Sequence, residues 1–204
     1  MNSKYDVAII GAGPAGIFAA YELMLLNPAL KVIMIEEGQD IYTRKCPIAE
    51  KKVRHCLKCK PCNIMRGFGG AGAYSDGKYN FTTQFGGWLI DYLPEELLIR
   101  LIDYVDEINR QYGAPAEYFT TKNSKIRREA LAHDLHLLDA KVRHLGTENN
   151  LHIMETMYEF LKPQITMLFN AHVAEFKKVA AQFQLSVKGL AEKISCDFLI
   201  AAPG

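Results

Sequence analysis

The chain has 204 residues, 49% of them hydrophobic and 23% charged, with a formal net charge of +1. That length buries one good core, and the near-neutral, ordinary composition gives no global pull toward nucleic acid or a membrane surface. The apolar run 7–26 is broken by Gly11, Gly13, Pro14 and Gly16 and charged by Glu22, and no small-residue cleavage site follows, so the run reads as neither signal nor membrane span. We therefore expect a cytoplasmic protein whose five cysteines are thiols or metal ligands rather than disulfides.

Val7, Ala8, Ile9 and Ile10 make a short apolar run suited to a buried parallel strand. Gly11, Gly13 and Gly16 then form G-x-G-x-x-G where a strand hands over to a helix. In that pattern the first glycine permits the tight turn, the second lets backbone approach a pyrophosphate, and the third lets helix pack on strand. The helix runs to about Asn27–Pro28, with its free N–H groups and positive dipole end facing the phosphates. The segment "KVIMIE" predicts a second buried strand ending at Glu36, twenty residues after Gly16, where a carboxylate meets an adenosine ribose. An acid there suits the free 2′-hydroxyl of FAD or NAD and disfavours NADP.

Next comes C-x9-C-x2-C-x2-C, formed by Cys46, Cys56, Cys59 and Cys62. Three cysteines spaced by two can converge on one ion, with Cys46 completing a tetrahedral thiolate site for zinc. The run is also similar to an iron–sulfur ligand pattern, without the proline that follows in ferredoxins. Four plain thiols, or a redox pair passing electrons to a flavin, are the competing readings. Between Arg44 and Arg66 stand eight Lys or Arg residues against one acid, Glu50, a charge that would favour thiolates. Cys196, on an apolar strand, reads as a small buried core residue.

The stretch "GFGGAGAYSDGK", 67–78, is a second glycine loop. A simple NAD protein has less need of it than a flavoprotein, and Phe68, Tyr74 and Tyr79 imply something to pack against. Residues 94–112 predict a helix with Leu97, Leu101, Val105, Ile108 and Tyr112 as its core stripe. His133, His136 and His144 lie between 120 and 146 with no partner ligands in sequence, which favours surface or structural roles. Thr147 caps a helix presenting Leu151, Met154, Tyr158 and Leu161 and stopped by Pro163. A strand at 165–169, a small antiparallel meander and an apolar strand Phe198–Ala201, followed by Ala202-Pro203-Gly204, close the chain.

The opening motif, the three-strand insertion and the closing "AAPG" resemble the FAD domain of the glutathione-reductase-like flavoproteins. "RKCPIAE", "CLKCKPCNI", "GFGGAGAYSDGKYNFTT", "GGWL" and "LDAKVRHLGTENNL" resemble, more narrowly, an uncharacterised FAD-dependent dehydrogenase family of bacteria and archaea, over essentially the whole chain. The resemblance implies an α/β fold: a Rossmann-like FAD-binding domain with a parallel sheet, a three-stranded β-meander and a helical and loop insertion. It assigns 1–45 and 147–204 to the FAD domain and 46–146 to the insertion with the cysteine cluster.

By that resemblance Gly11, Gly13, Pro14, Ala15 and Gly16 line the pyrophosphate. Glu36, with Glu37 beside it, holds the adenosine ribose, and Arg44 sits by the adenosine or phosphates. Gly69, Gly70, Ala71 and Gly72 approach the pyrophosphate or ribityl chain, Val173 offers backbone to adenine, and Ala202 and Gly204 close the site. Asp76 and Lys78 fall near the flavin ring. The implied activity is that of an FAD-dependent oxidoreductase with an unassigned small-molecule substrate and NAD(P)H as candidate electron donor. Members of the family are longer, so we expect the rest of the polypeptide to follow residue 204 and this portion alone to be inactive. The rival readings are an NAD-binding protein without flavin and a non-catalytic module binding metal or RNA.

Overall fold

The computed structural model describes residues 4–204, the side chain of Ser124 excepted. It divides into two compact units: residues up to Tyr74 together with Met154–Gly204, and Ser75–Ile153.

In the first unit β1 (Lys4–Ile10) and β2 (Val32–Ile35) pair in parallel, Val7 opposite Val32 and Ile10 opposite Ile35. All four residues of β2 are buried, as a strand covered on both faces requires. Between them runs α1 (Pro14–Leu26), with proline in the first turn and Ile17, Ala20, Tyr21 and Met24 turned inward. β6 (Thr166–Leu168) extends the sheet beyond β2, and β9 (Ile194–Ala201) lies on the other side of β1, both parallel. β7 (Val173–Val179) and β8 (Gln182–Val187) form an antiparallel hairpin, and β8 pairs antiparallel with β9. The order β6-β2-β1-β9-β8-β7 makes one six-stranded Rossmann-like sheet.

The expected meander is therefore β7-β8-β9, and its third strand is the closing parallel strand itself. β9 starts four residues earlier than expected because Ile194 and Cys196 alternate into the core. There they join Ala8, Ile33, Ile35, Leu185 and Val187, all buried. The expected core strand is thus two-faced: Phe198 is 69% exposed.

The second unit holds a small antiparallel sheet, β3 (Lys78–Asn80), β5 (Lys141–His144) and β4 (Phe119–Thr120), in the order β3-β5-β4. It also holds α2 (Glu95–Gln111) and α3 (Ser124–Leu131). Asn123 caps α3, its Oδ1 accepting from the Lys125 and Ile126 N–H groups. The expected stripe of α2 is corrected. Leu98, Ile108 and Asn109 are buried, while Leu101 and Val105 are 43% and 36% exposed. The cause is Asp106, drawn inward by a two-pronged pair with Arg143 at 2.8 and 2.7 Å. The Arg143 guanidinium also donates to the carbonyl oxygens of Pro115 and Glu117.

α4 (Thr147–Leu161) carries the expected apolar face, with Met154, Tyr158 and Leu161 buried and Leu151 half-buried. Its first backbone acceptor is Gly146 rather than Thr147, which becomes the first helical residue.

Candidate functional site

In the first unit, the first glycine turn, the turn after β2 and the second glycine loop are knitted into one backbone surface. Gly11 has φ +99°, and a Cβ there would stand 2.3 Å from the Ala202 oxygen. A Cβ on Gly16 would stand 2.1 Å from the Gly11 oxygen, so the third glycine does let α1 pack on the turn. Gly13 differs from both. Its φ and ψ, −74° and −179°, suit any residue, and nothing lies within 4 Å of where its Cβ would be. No packing demand from this protein explains a glycine there. Gly13 is also the N-cap of α1, with no side chain capping the helix.

The second loop is pinned at its root. Phe68 is fully buried, edge-on to Tyr158 at 5.0 Å and near Phe169 at 6.5 Å, a burial worth about 1.5–3 kcal/mol. The aromatic partner expected for this loop is thus the protein's own core. From that anchor the Gly69 N–H donates to the Ala12 oxygen at 2.8 Å. Gly70 (φ +58°) lies so near that an added Cβ would be 3.2 Å from the Gly13 Cα, and one on Gly72 3.9 Å from Pro14. Gly70–Tyr74, which includes Ala71, winds as a single 3-10 turn.

Glu36 joins the three segments. Its Oε2 accepts from the Ala12 N–H at 2.7 Å, and its Oε1 from the Gly38 and Gly67 N–H groups at 2.8 and 2.9 Å. The carboxylate is 7% exposed and has about four acceptor positions, three of them used. Glu37 pairs with Arg66 and, at 3.4 Å, with His172. Val173 opens β7 two residues beyond Ala171, whose N–H donates to the Glu36 oxygen, so the adenine-edge candidate lies beside the same carboxylate residue. Ala202 abuts Gly11 and donates to the Ile10 oxygen, while a Cβ added at Gly204 would meet nothing within 4 Å.

Arg44 is 2% exposed and clamps the loop that follows it. Its Nε donates to the Asn63 oxygen at 2.9 Å, and its two terminal nitrogens to Phe68 at 2.6 Å and Ile64 at 3.0 Å. It also stacks over Tyr74, 4.9 Å from the ring centroid. Burial lowers its pKa from the ordinary arginine value, while nearby Tyr74 and Glu36 oppose that shift. Two residues that sequence reasoning missed complete the surface. Gly38 meets Gly67 backbone to backbone, where an added Cβ would lie 2.3 Å from the Gly67 nitrogen. Gln39 keeps its Oε1 buried with no hydrogen-bond partner. A glycine just after the strand-ending acid could have signalled Gly38; nothing in the sequence distinguishes Gln39.

Asp76 and Lys78 belong to the second unit, where they pair at 2.8 Å and His144 lies 3.9 Å from the same carboxylate. The hydrogen bond from Lys78 holds the Asp76 carboxyl below its usual value. Tyr79, in the same unit, donates to Asn150 at 3.2 Å. His133 and His136 are both exposed.

The four clustered cysteines are free thiols, Cys46 and Cys62 half-buried and Cys56 and Cys59 exposed, and all four line one surface pocket in the first unit. Among the described residues no three His, Cys, Asp or Glu side chains are arranged to hold a metal ion, so the thiols share a pocket without converging on a point. Cys196 is fully buried, as expected, and burial pushes its thiol pKa up. No helix among the described residues is long and apolar enough to cross a membrane.

No family model matches the sequence. The chain is 30% identical over 147 residues to an uncharacterized protein of Clostridium beijerinckii, across 72% of this chain and 24% of that one. It is 32% identical over 154 residues to a digeranylgeranylglycerophospholipid reductase of Methanosarcina mazei, across 72% of this chain and 35% of that one. The chain thus spans about a quarter to a third of the length of these curated relatives. Among solved structures it superposes on a variant of the quinol fumarate reductase FrdA of E. coli with TM-score 0.57 and 14% identity, covering all of this chain and 33% of that one. For the OxyS anhydrotetracycline hydroxylase of Streptomyces rimosus the TM-score is 0.52 at 14% identity, with 98% and 32% covered. For the L-amino acid deaminase of Proteus vulgaris it is 0.50 at 13%, with 100% and 48% covered. These likenesses establish a shared fold.

Proposed function

We propose that the first unit binds FAD and that the protein of which it forms part is an FAD-dependent oxidoreductase. The observation that carries this reading is the continuity of the two glycine loops. Gly69 bonds to Ala12, and Gly70 packs on Gly13, whose own side-chain direction is open. A pyrophosphate needs only the first loop and the start of α1. A bare surface that continues through Gly69–Gly72 suits a longer ligand, one with a ribityl chain and a ring beyond the phosphates.

The residues fit that group. The N-terminal turn of α1 presents backbone N–H groups to the pyrophosphate, and Pro14 and Ala15 add no bulk that would keep it away. Glu36 retains one acceptor position for a ribose hydroxyl after its three backbone bonds. The buried Gln39 Oε1, without a hydrogen-bond partner, is a second acceptor in the turn after β2. Val173 offers backbone at the adenine edge, and Ala202 closes the floor against Gly11. When bound, flavin supplies hydride or single-electron transfer, and the protein supplies orientation and electrostatics. Two relatives or fold neighbours are named as reductases, which agrees with redox chemistry here. The organic substrate and the electron donor, NAD(P)H being the candidate, belong to the whole protein.

The test is parallel equilibrium titration of the chain with FAD, FMN and NAD, read by flavin fluorescence and by calorimetry. FAD binding with FMN silent supports the reading, because FMN lacks the adenosine half that Glu36 serves. Heat from NAD with none from FAD would replace it with the nicotinamide alternative.

A further inference from the structure

The loop from Cys46 to Cys62 has no part in the dinucleotide surface, yet it gathers four of the five cysteines around one pocket, with Ile48 and Leu57 in its wall. Its turn at Cys56-Leu57-Lys58 is specific. Lys58 adopts φ +51° and directs its backbone N–H at the Cys56 Sγ, 3.4 Å away. A backbone donor aimed at sulfur orients it, as outer-shell donors do at metal centres. The Cys62 oxygen accepts from the Met65 and Arg66 N–H groups, and the Cys46 oxygen from that of Glu50, so turns hold the backbone at both ends of the loop. Eight Lys or Arg residues against Glu50 flank the four thiols, a surrounding suited to the excess negative charge of four thiolates on one dication.

We propose that Cys46, Cys56, Cys59 and Cys62 bind a single Zn2+ ion as a four-thiolate site. The four thiols line one pocket without converging on a point. Cys56 and Cys59 are exposed, which leaves their side chains room to change between staggered positions. Binding forms four Zn–S bonds and releases four thiol protons to solvent, with no change of oxidation state. Closed four-coordination of this kind is structural. The two ends of the loop are already tied together twice, through the Arg44 fork onto Asn63, Ile64 and Phe68 and through the Asn63 amide donating to the Lys45 oxygen at 2.8 Å. The ion adds a third tie in the same loop. None of these ligands depends on a flavin being present.

The experiment uses anaerobically purified chain, stripped with chelator and titrated with Co2+ as an optical probe and then with Zn2+. The expected result is thiolate-to-cobalt absorption saturating at one equivalent, its displacement by one equivalent of Zn2+, and protection of four thiols from an alkylating reagent. Cys56→Ser with Cys59→Ser should weaken zinc by more than about 100-fold, the upper range for loss of a merely outer-shell group, while far-UV dichroism of this exposed-loop variant stays that of the parent. Less than about a tenth of an equivalent of zinc, with all four thiols still reactive in its presence, would overturn the site. Zinc retained by the double variant would do the same. Iron with acid-labile sulfide in place of zinc would overturn the single-ion assignment.

Discussion

Gly13→Val separates the two reasons a glycine can stand in the first turn. Residue 13 has φ −74° and ψ −179°, extended backbone that valine accepts readily, and no atom lies within 4 Å of its Cβ position. Loss of glycine's freedom in the unfolded chain stabilises by about 0.4–1 kcal/mol, and the poorer N-cap offsets a similar amount. Stability should therefore stay within about 1 kcal/mol of the parent, a shift of about 2–4 °C or less in Tm for a chain of this size. Binding should respond quite differently. The branched side chain occupies the space over the first turn of α1, and a pyrophosphate held off by it forfeits charge-assisted bonds worth about 1.5–3 kcal/mol each. Losing two of them weakens FAD by about 100-fold to 10,000-fold. Thermal melts followed by dichroism, alongside fluorescence titration with FAD, measure both quantities on one preparation. Gly16→Ala is the contrasting control, because its Cβ would lie 2.1 Å from the Gly11 oxygen and 3.3 Å from Ile9, so stability falls before any ligand is added. Parental FAD affinity in Gly13→Val would refute the assignment of the loop. A large drop in its melting temperature would refute the reading of open space.

Two further outcomes follow from buried groups. Arg143→Met leaves Asp106, 13% exposed, without its two-pronged partner and should cost about 3–5 kcal/mol, with the double variant Arg143→Met, Asp106→Leu recovering much of it in urea melts. If the single variant is as stable as the parent, the Arg143–Asp106 pair does not set the face of α2. In metal-free folded chain at pH 8, a thiol reagent should titrate Cys46, Cys56, Cys59 and Cys62 and leave Cys196 until denaturant is added. The fully buried Cys196 thiol has its pKa raised, so its reactive thiolate is scarcer there than an ordinary cysteine's. Five reactive thiols without denaturant would contradict a closed β8–β9 core.

The first unit was legible in the sequence because its signals are local and dense. β1, α1 and β2 follow from apolar runs around three fixed glycines, and α4 from a helical stripe. The second unit was legible chiefly in α2: α3, of eight residues, went unread, and strands of two to four residues, such as β4 and β5, are too short for alternation to register. The stripe of α2 was misread because hydrophobicity alone chose Leu101 and Val105, whereas a buried ion pair, Asp106 with Arg143, set the helix face. A charge-driven rotation of that kind needs a partner 37 residues away and leaves no periodic trace. Glu36 carries the same lesson at the site. Its distance from Gly16 announces a ribose ligand, but nothing in that spacing announces that the carboxylate already binds Ala12, Gly38 and Gly67. Those three donors come from three separate segments, so the acid that would recognise the adenosine also assembles the surface on which it would rest. Replacing it removes a buried acceptor from three N–H groups at once, and loss of cofactor in a Glu36 variant is then no measure of a ribose contact. Gly13, whose side-chain position is open space, gives the cleaner readout of binding.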